Sequence, residues 1–190
     1  NKIEFGDYRY AEDKIYNYFC YIAGARYAFI DKKIYVYRRN EQSVSNTYRK
    51  DGDKDWMRIA QDLQDKIDSL NYEKKQYSQD EIENYESIVA WTIYFAAFFD
   101  GKMEYEYSTG KIRAVINLLK RYASYDLTKK YLKNPLRYTK KIPALSYKIM
   151  LGGFAFLMKC NMYVLLSLGI KLLVDCHIDE RLSDTGRKED

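Results

Sequence analysis

A mainly α fold, in which a short α/β segment precedes a helical bundle, is predicted by three observations. Only 9 glycines and 2 prolines in 190 residues leave little material for the closely spaced turns of an all-β protein. From residue 51 onward, apolar residues recur at helical spacing in one stretch after another. Two short runs rich in aromatic and β-branched residues, the composition of strands, lie in the first fifty residues. With 47% hydrophobic and 31% charged residues the chain has the balance of a folded protein. The change of texture at Asp51-Gly52 divides it into residues 1–50, a helical domain over 51–176 and a polar tail over 177–190.

The first element is a helix over residues 12–24. Glu12 and Asp13 place negative charge in its first turn, Ile15, Phe19 and Ile22 share one face, and Gly24 can end it. Arg26 to Ile30 and Ile34 to Arg38 read as short strands, separated by Asp31-Lys32-Lys33 as a turn. Trp56, Ile59, Leu63, Ile67 and Leu70 then form a single apolar stripe. Ser78 with Glu81 three residues on matches a capping box, and the helix it opens is expected to run through Ile82, Tyr85, Val89 and Ile93 to Asp100-Gly101. One further helix is expected over 110–132, from Ile112, Val115, Ile116, Leu119 and Tyr122, followed by Pro135 and a basic connector.

Residues 145–174 are nearly all apolar, and roughly 20 such residues span a bilayer. Lys159 within the run costs about 2.5–3.5 kcal/mol on insertion, Asn161 adds to this, and Gly152-Gly153 weakens the helix. A buried or interfacial helix is therefore expected.

Composition narrows the chemistry. The 21 tyrosines suit sugar stacking, membrane-interface anchoring or amphipathic packing, and packing accounts for most of them. Cys20, Cys160 and Cys176 are odd in number and far apart, which offers neither a disulfide framework nor a Cys-x-x-Cys site and suits a reducing cytosol. His177 is the only histidine, so a histidine-based triad or zinc site is excluded. No Gly-rich phosphate loop occurs. The start at Asn1, without a methionine or signal core, is that expected of a piece of a longer protein.

The first fifty residues hold the most specific pattern: Phe5, then the pair Glu12-Asp13, then Tyr35-Val36-Tyr37-Arg38-Arg39, then Ser43-Val44-Ser45. Over about residues 3–48 this order and spacing resembles the end of the catalytic domain of family 2 glycosyltransferases of GT-A type. In that family an acidic pair opens a helix after the acceptor loop, and a Tyr-x-Tyr-Arg strand leads into Ser-x-Ser. The helical region beyond agrees in general character with the C-terminal extensions of capsule and exopolysaccharide transferases. The resemblance implies that Asp13 is the general base, deprotonating an acceptor hydroxyl, with Glu12 beside it contacting the acceptor or tuning its charge. Arg38 and Arg39 are candidates for the donor diphosphate, a guanidinium matching phosphate oxygens well, although a strand-end arginine is equally served by solvent. The family's Asp-x-Asp, which holds a divalent ion (Mg²⁺ or Mn²⁺) on the nucleotide-sugar donor, is expected upstream of Asn1. Asp51-Gly52-Asp53 and Asp53-Lys54-Asp55 match its letters but follow Ser-x-Ser, where they read as helix-start charge.

A second signal is the basic run Lys129, Lys130, Lys133, Arg137, Lys140 and Lys141, interleaved with Tyr131 and Tyr138 and free of acidic residues. Such a run serves an anionic membrane surface or a partner, or is a solvated connector in a protein of net charge +5. No nucleic-acid reader is recognisable. Taken together, the expectation is part of an inverting nucleotide-sugar glycosyltransferase, inactive alone, that transfers sugar to a glycan or lipid-linked acceptor at the cytoplasmic face of the plasma membrane. The alternative is a non-catalytic helical module for homo-oligomer formation or membrane-surface docking.

Overall fold

The computed structural model describes residues 7–8, 11–28, 30–32, 48–72 and 77–176. Among them the chain forms eight helices: α1 (Glu12–Ile22), α2 (Gly52–Tyr72), α3 (Gln79–Tyr107), α4 (Lys111–Ser124), α5 (Asp126–Leu132), α6 (Pro135–Thr139), α7 (Leu145–Lys159) and α8 (Tyr163–Asp175). The 29-residue α3, about 44 Å long, is central and packs against α2, α4, α6, α7 and α8, while α1 lies on α2.

Local sequence explains the start of α3 and the burial of the α2 stripe. Ser78 Oγ accepts the Glu81 N–H at 3.3 Å and a Glu81 carboxylate oxygen accepts the Ser78 N–H at 2.8 Å, so the expected capping box opens α3 and contributes about 1 kcal/mol. Ile59, Leu63, Ile67 and Leu70 of α2 are buried, as their stripe predicts. Gly24, with φ +77°, follows α1 in the left-handed region that glycine adopts at no steric cost. Three tyrosines, Tyr94, Tyr122 and Tyr131, are fully buried, in line with a packing role.

The structure corrects several boundaries, each for a tertiary reason. The helix expected to stop at Asp100-Gly101 continues to Tyr107. A Cβ on Gly101 would lie 2.8 Å from Ile170 Cδ1, so this glycine admits α8 rather than ending α3. The single helix expected over 110–132 is two, broken at Tyr125, whose extended backbone (φ −65°, ψ 136°) ends α4 while its hydroxyl donates to Asp53 at 3.1 Å. The connector that follows is itself helical at its start, where Pro135–Thr139 form α6. The apolar run 145–174 folds back as the α7–α8 hairpin. It turns at Asn161 (φ +56°) and not at the glycine pair, because Gly152 is packed within α7 against Thr139.

No strand occurs among the described residues. Residues 26–28, 30 and 31 are irregular, and Tyr27 donates its hydroxyl to the Asn17 carbonyl at 2.9 Å. Residues 34–38, the other expected strand, lie outside the described residues, as does the tail 177–190. No described helix is long and apolar enough to cross a membrane.

Candidate functional site

The acidic pair stands where the sequence puts it, in the first turn of α1. Ala11 precedes it in the left-handed region (φ 51°) and supplies no side-chain cap. Both carboxylates are exposed, and among the described residues neither has a hydrogen-bond or ion-pair partner. The helix beneath them is fixed by Ile15 and Ile22, which are buried against the core. Tyr8, ahead of the helix, donates its hydroxyl to Asp62 of α2 at 2.8 Å with the Arg58 guanidinium 5.3 Å from its ring centre. Burial, with the Asp62 carboxylate adding to it, pushes the Tyr8 phenol up to about 12, so the hydroxyl remains a donor at neutral pH.

Beside the pair lies a groove of about 240 Å³ between α1, α2, α3 and α7. Ala11 and Lys14, the residues flanking Glu12-Asp13, line it at α1. Its walls are aromatic: Tyr18 from α1, Trp56 from α2, and Trp91 and Phe95 from α3. Three polar atoms of these walls are engaged inside the fold. The Trp91 indole donates to the Tyr138 carbonyl at 2.9 Å, the Thr92 hydroxyl donates to the Ile88 carbonyl at 2.9 Å, and the Trp56 indole donates to Asp100. What faces the opening is therefore ring surface, with the Lys14 side chain at the rim. Ring faces of this kind accept the C–H faces of sugars and apolar chains. No linear motif announces the groove, because its four aromatics come from three helices.

A second cluster lies at the junction of α2, α3 and α4, where Asp53 is 1% exposed. It accepts from Arg121 Nη2 at 3.2 Å and Nε at 3.3 Å, and from the Tyr125 hydroxyl. The helix-start charge expected of Asp53 is thus also a buried ion pair. Asp100 accepts the Tyr122 hydroxyl at 2.6 Å, and Glu104 accepts the Tyr48 hydroxyl at 2.9 Å. Burial pushes the Asp100 carboxyl up to about 7; the hydrogen bonds from Tyr122 and Trp56 oppose the rise and the neighbouring Asp53 charge adds to it. The accompanying cavity, of about 10 Å³, has room for about one water molecule. This cluster joins helices and has no opening for a substrate. Among the described residues no group of three or more His, Cys, Asp or Glu side chains could hold a metal ion.

Of the other sequence candidates, Arg38 and Arg39 lie outside the described residues. The basic run is largely answered from within the protein. Lys130 pairs with Glu86 at 3.6 Å, Arg137 and Lys140 with Glu83 at 3.4 and 3.1 Å, Lys141 with Asp80, and Lys129 with Asp126 at 2.8 Å. Three of these carboxylates belong to the first turns of α3, some fifty residues away in sequence. Lys133 has no such carboxylate partner among the described residues. The chain matches no family profile, no curated protein and no solved structure.

Proposed function

We propose that this chain is the acceptor-side part of an inverting, nucleotide-sugar-dependent glycosyltransferase of family 2, with Asp13 as general base, residues 1–50 as the end of its GT-A catalytic domain, and a glycan or lipid-linked molecule as acceptor. The observation that carries the reading is the exposed pair Glu12-Asp13, without a partner among the described residues, beside an aromatic-walled groove. A sugar hydroxyl is a poor nucleophile. A carboxylate within about 2.6–3.2 Å of it takes the proton as the oxygen attacks the anomeric carbon. The bond from that carbon to the nucleotide diphosphate breaks as the new one forms, which inverts the configuration. Trp56, Trp91, Phe95 and Tyr18 hold the acceptor by ring stacking, and Lys14 at the groove's edge attracts an anionic group on it.

The described residues offer no set that fits the divalent cation of such a donor. Donor binding belongs to a nucleotide-binding half outside this chain, and the 190 residues alone are expected to be inactive. The test is transfer by the polypeptide that joins this chain to that half, given a panel of nucleotide sugars, in the wild type and in Asp13→Asn. Loss of turnover with donor binding retained supports Asp13 as base. Undiminished turnover places the site elsewhere, and absence of any transfer by the wild type leaves the non-catalytic helical module as the reading.

A further inference from the structure

The α7–α8 hairpin carries an apolar surface that the fold leaves open. Ile149 and Phe156 of α7, and Val164, Leu165, Leu168 and Leu172 of α8, are each between 46% and 66% exposed. Their spacing sets them on the outward side of each helix, while Leu151, Phe154, Met158, Leu166 and Ile170 fill the inward side and are buried. Surface of this kind marks a contact site. With 15 residues, α7 reaches about 22 Å, short of the roughly 30 Å of a bilayer core, so a membrane would be met from the side and not crossed.

Charge identifies what covers it. From residue 127 to 174 the chain has nine basic residues and no acidic one. Lys130, Arg137, Lys140 and Lys141 are neutralised by α3, but Lys133, Lys148 and Lys159 have no carboxylate partner among the described residues. Two of these three meet at the turn of the hairpin. There Lys129, Lys133, Lys159, Asn161 and Tyr163 surround an open hollow of about 300 Å³, one turn from Phe156 and Val164. Lys159 Nζ donates to the Lys133 carbonyl at 2.8 Å, which holds its ammonium at the rim. An ammonium-lined hollow beside an apolar helical face has the two-part chemistry of an anionic amphiphile.

We propose that the α7–α8 face docks on an anionic phospholipid surface, with a headgroup phosphate between Lys133 and Lys159 and the acyl region against Leu165 and Leu168. A second copy on the same face would bring more basic residues and, among the described residues of the hairpin, no unpaired carboxylate to answer them, since Asp175 is engaged by Lys171. Residues 177–190 supply only Ile178 and Leu182 as aliphatic side chains, too few to cover the face. This docking stands independently of the chemistry proposed for Asp13.

The test is co-sedimentation of the 190-residue chain with vesicles of phosphatidylglycerol and phosphatidylcholine, against phosphatidylcholine alone, at low and high salt. Binding to the anionic vesicles is expected to be at least about tenfold tighter and to weaken with salt. The double substitution Leu165→Asp/Leu168→Asp should abolish it, and Lys133→Glu/Lys159→Glu should weaken it by about tenfold or more. Circular dichroism verifies that the variants remain folded, and the salt series on the wild type needs no variant. Absence of binding at low salt, or equal binding to both vesicle types, overturns the proposal. So does a dimer in ultracentrifugation that Leu168→Asp disperses while vesicles are ignored, which would make the face a contact between copies.

Discussion

The α2–α3–α4 unit and the α7–α8 hairpin belong to one bundle yet treat polarity in opposite ways. The former brings carboxylates inside and answers them there: Asp53 with Arg121 and Tyr125, Asp100 with Tyr122 and Trp56, Glu104 with Tyr48. The latter keeps its lysines outside and leaves leucines in the open. A buried carboxylate requires partners of fixed geometry, so the first unit is complete within the chain. An exposed apolar face gains only when something covers it, so the second is not.

Removing a partner from the complete unit should cost the most. Arg121→Ala leaves Asp53 buried with only the Tyr125 hydroxyl among its three donated hydrogen bonds, and a loss of about 3 kcal/mol is expected in urea unfolding. A loss under about 1 kcal/mol would mean that water reaches Asp53 and the contrast between the regions is weaker than drawn. The next effect is on pH dependence. Asp100 holds its proton in the fold up to about pH 7, whereas its ordinary value is 3.8, so unfolding releases a proton across that window. Stability contributed by this group therefore falls as pH rises from about 4 to 7, and Asp100→Asn should remove that slope from thermal melts. The smallest effect belongs to the open hairpin, where Leu172→Asn, at a side chain 58% exposed, should shift stability by no more than about 0.5 kcal/mol. A larger loss in dilute solution would show that the face is already covered.

The same contrast marks how far the sequence could be read. Ser78 and Glu81 act on each other across three residues, and the α2 stripe is a local periodicity, so both were legible. Gly101 was not, because its reason is Ile170, 69 residues later in the chain, and an isolated Asp-Gly reads as a stop. Tyr125 breaks a helix in favour of a hydroxyl bond to Asp53, 72 residues earlier. The basic run looked free of acids because its acids, Asp80, Glu83 and Glu86, sit on another helix. Asp13 and Glu12 were marked by resemblance to a family and not by physical chemistry, since an acidic first turn is ordinary. The groove beside them needed Tyr18, Trp56, Trp91 and Phe95 to converge from three helices, which no spacing in one chain announces.

The buried tyrosine of α3 has a consequence for motion. Tyr94 donates its hydroxyl to the Tyr131 carbonyl at 2.9 Å, and the Tyr131 ring meets that of Tyr138 edge to face at 4.9 Å. Helices of seven and five residues do not persist alone, since nucleation is never repaid over so short a length. Their order is lent by the rest of the bundle: by α3 through this hydroxyl, the Trp91 indole on the Tyr138 carbonyl and the ion pairs of Glu83 and Glu86, by α2 through Gln64 on the Tyr131 hydroxyl, and by the packing of α7. The stretch from 126 to 139 is thus expected to open together with the helices that hold it, its amides exchanging with those of the middle of α3 and not ahead of them.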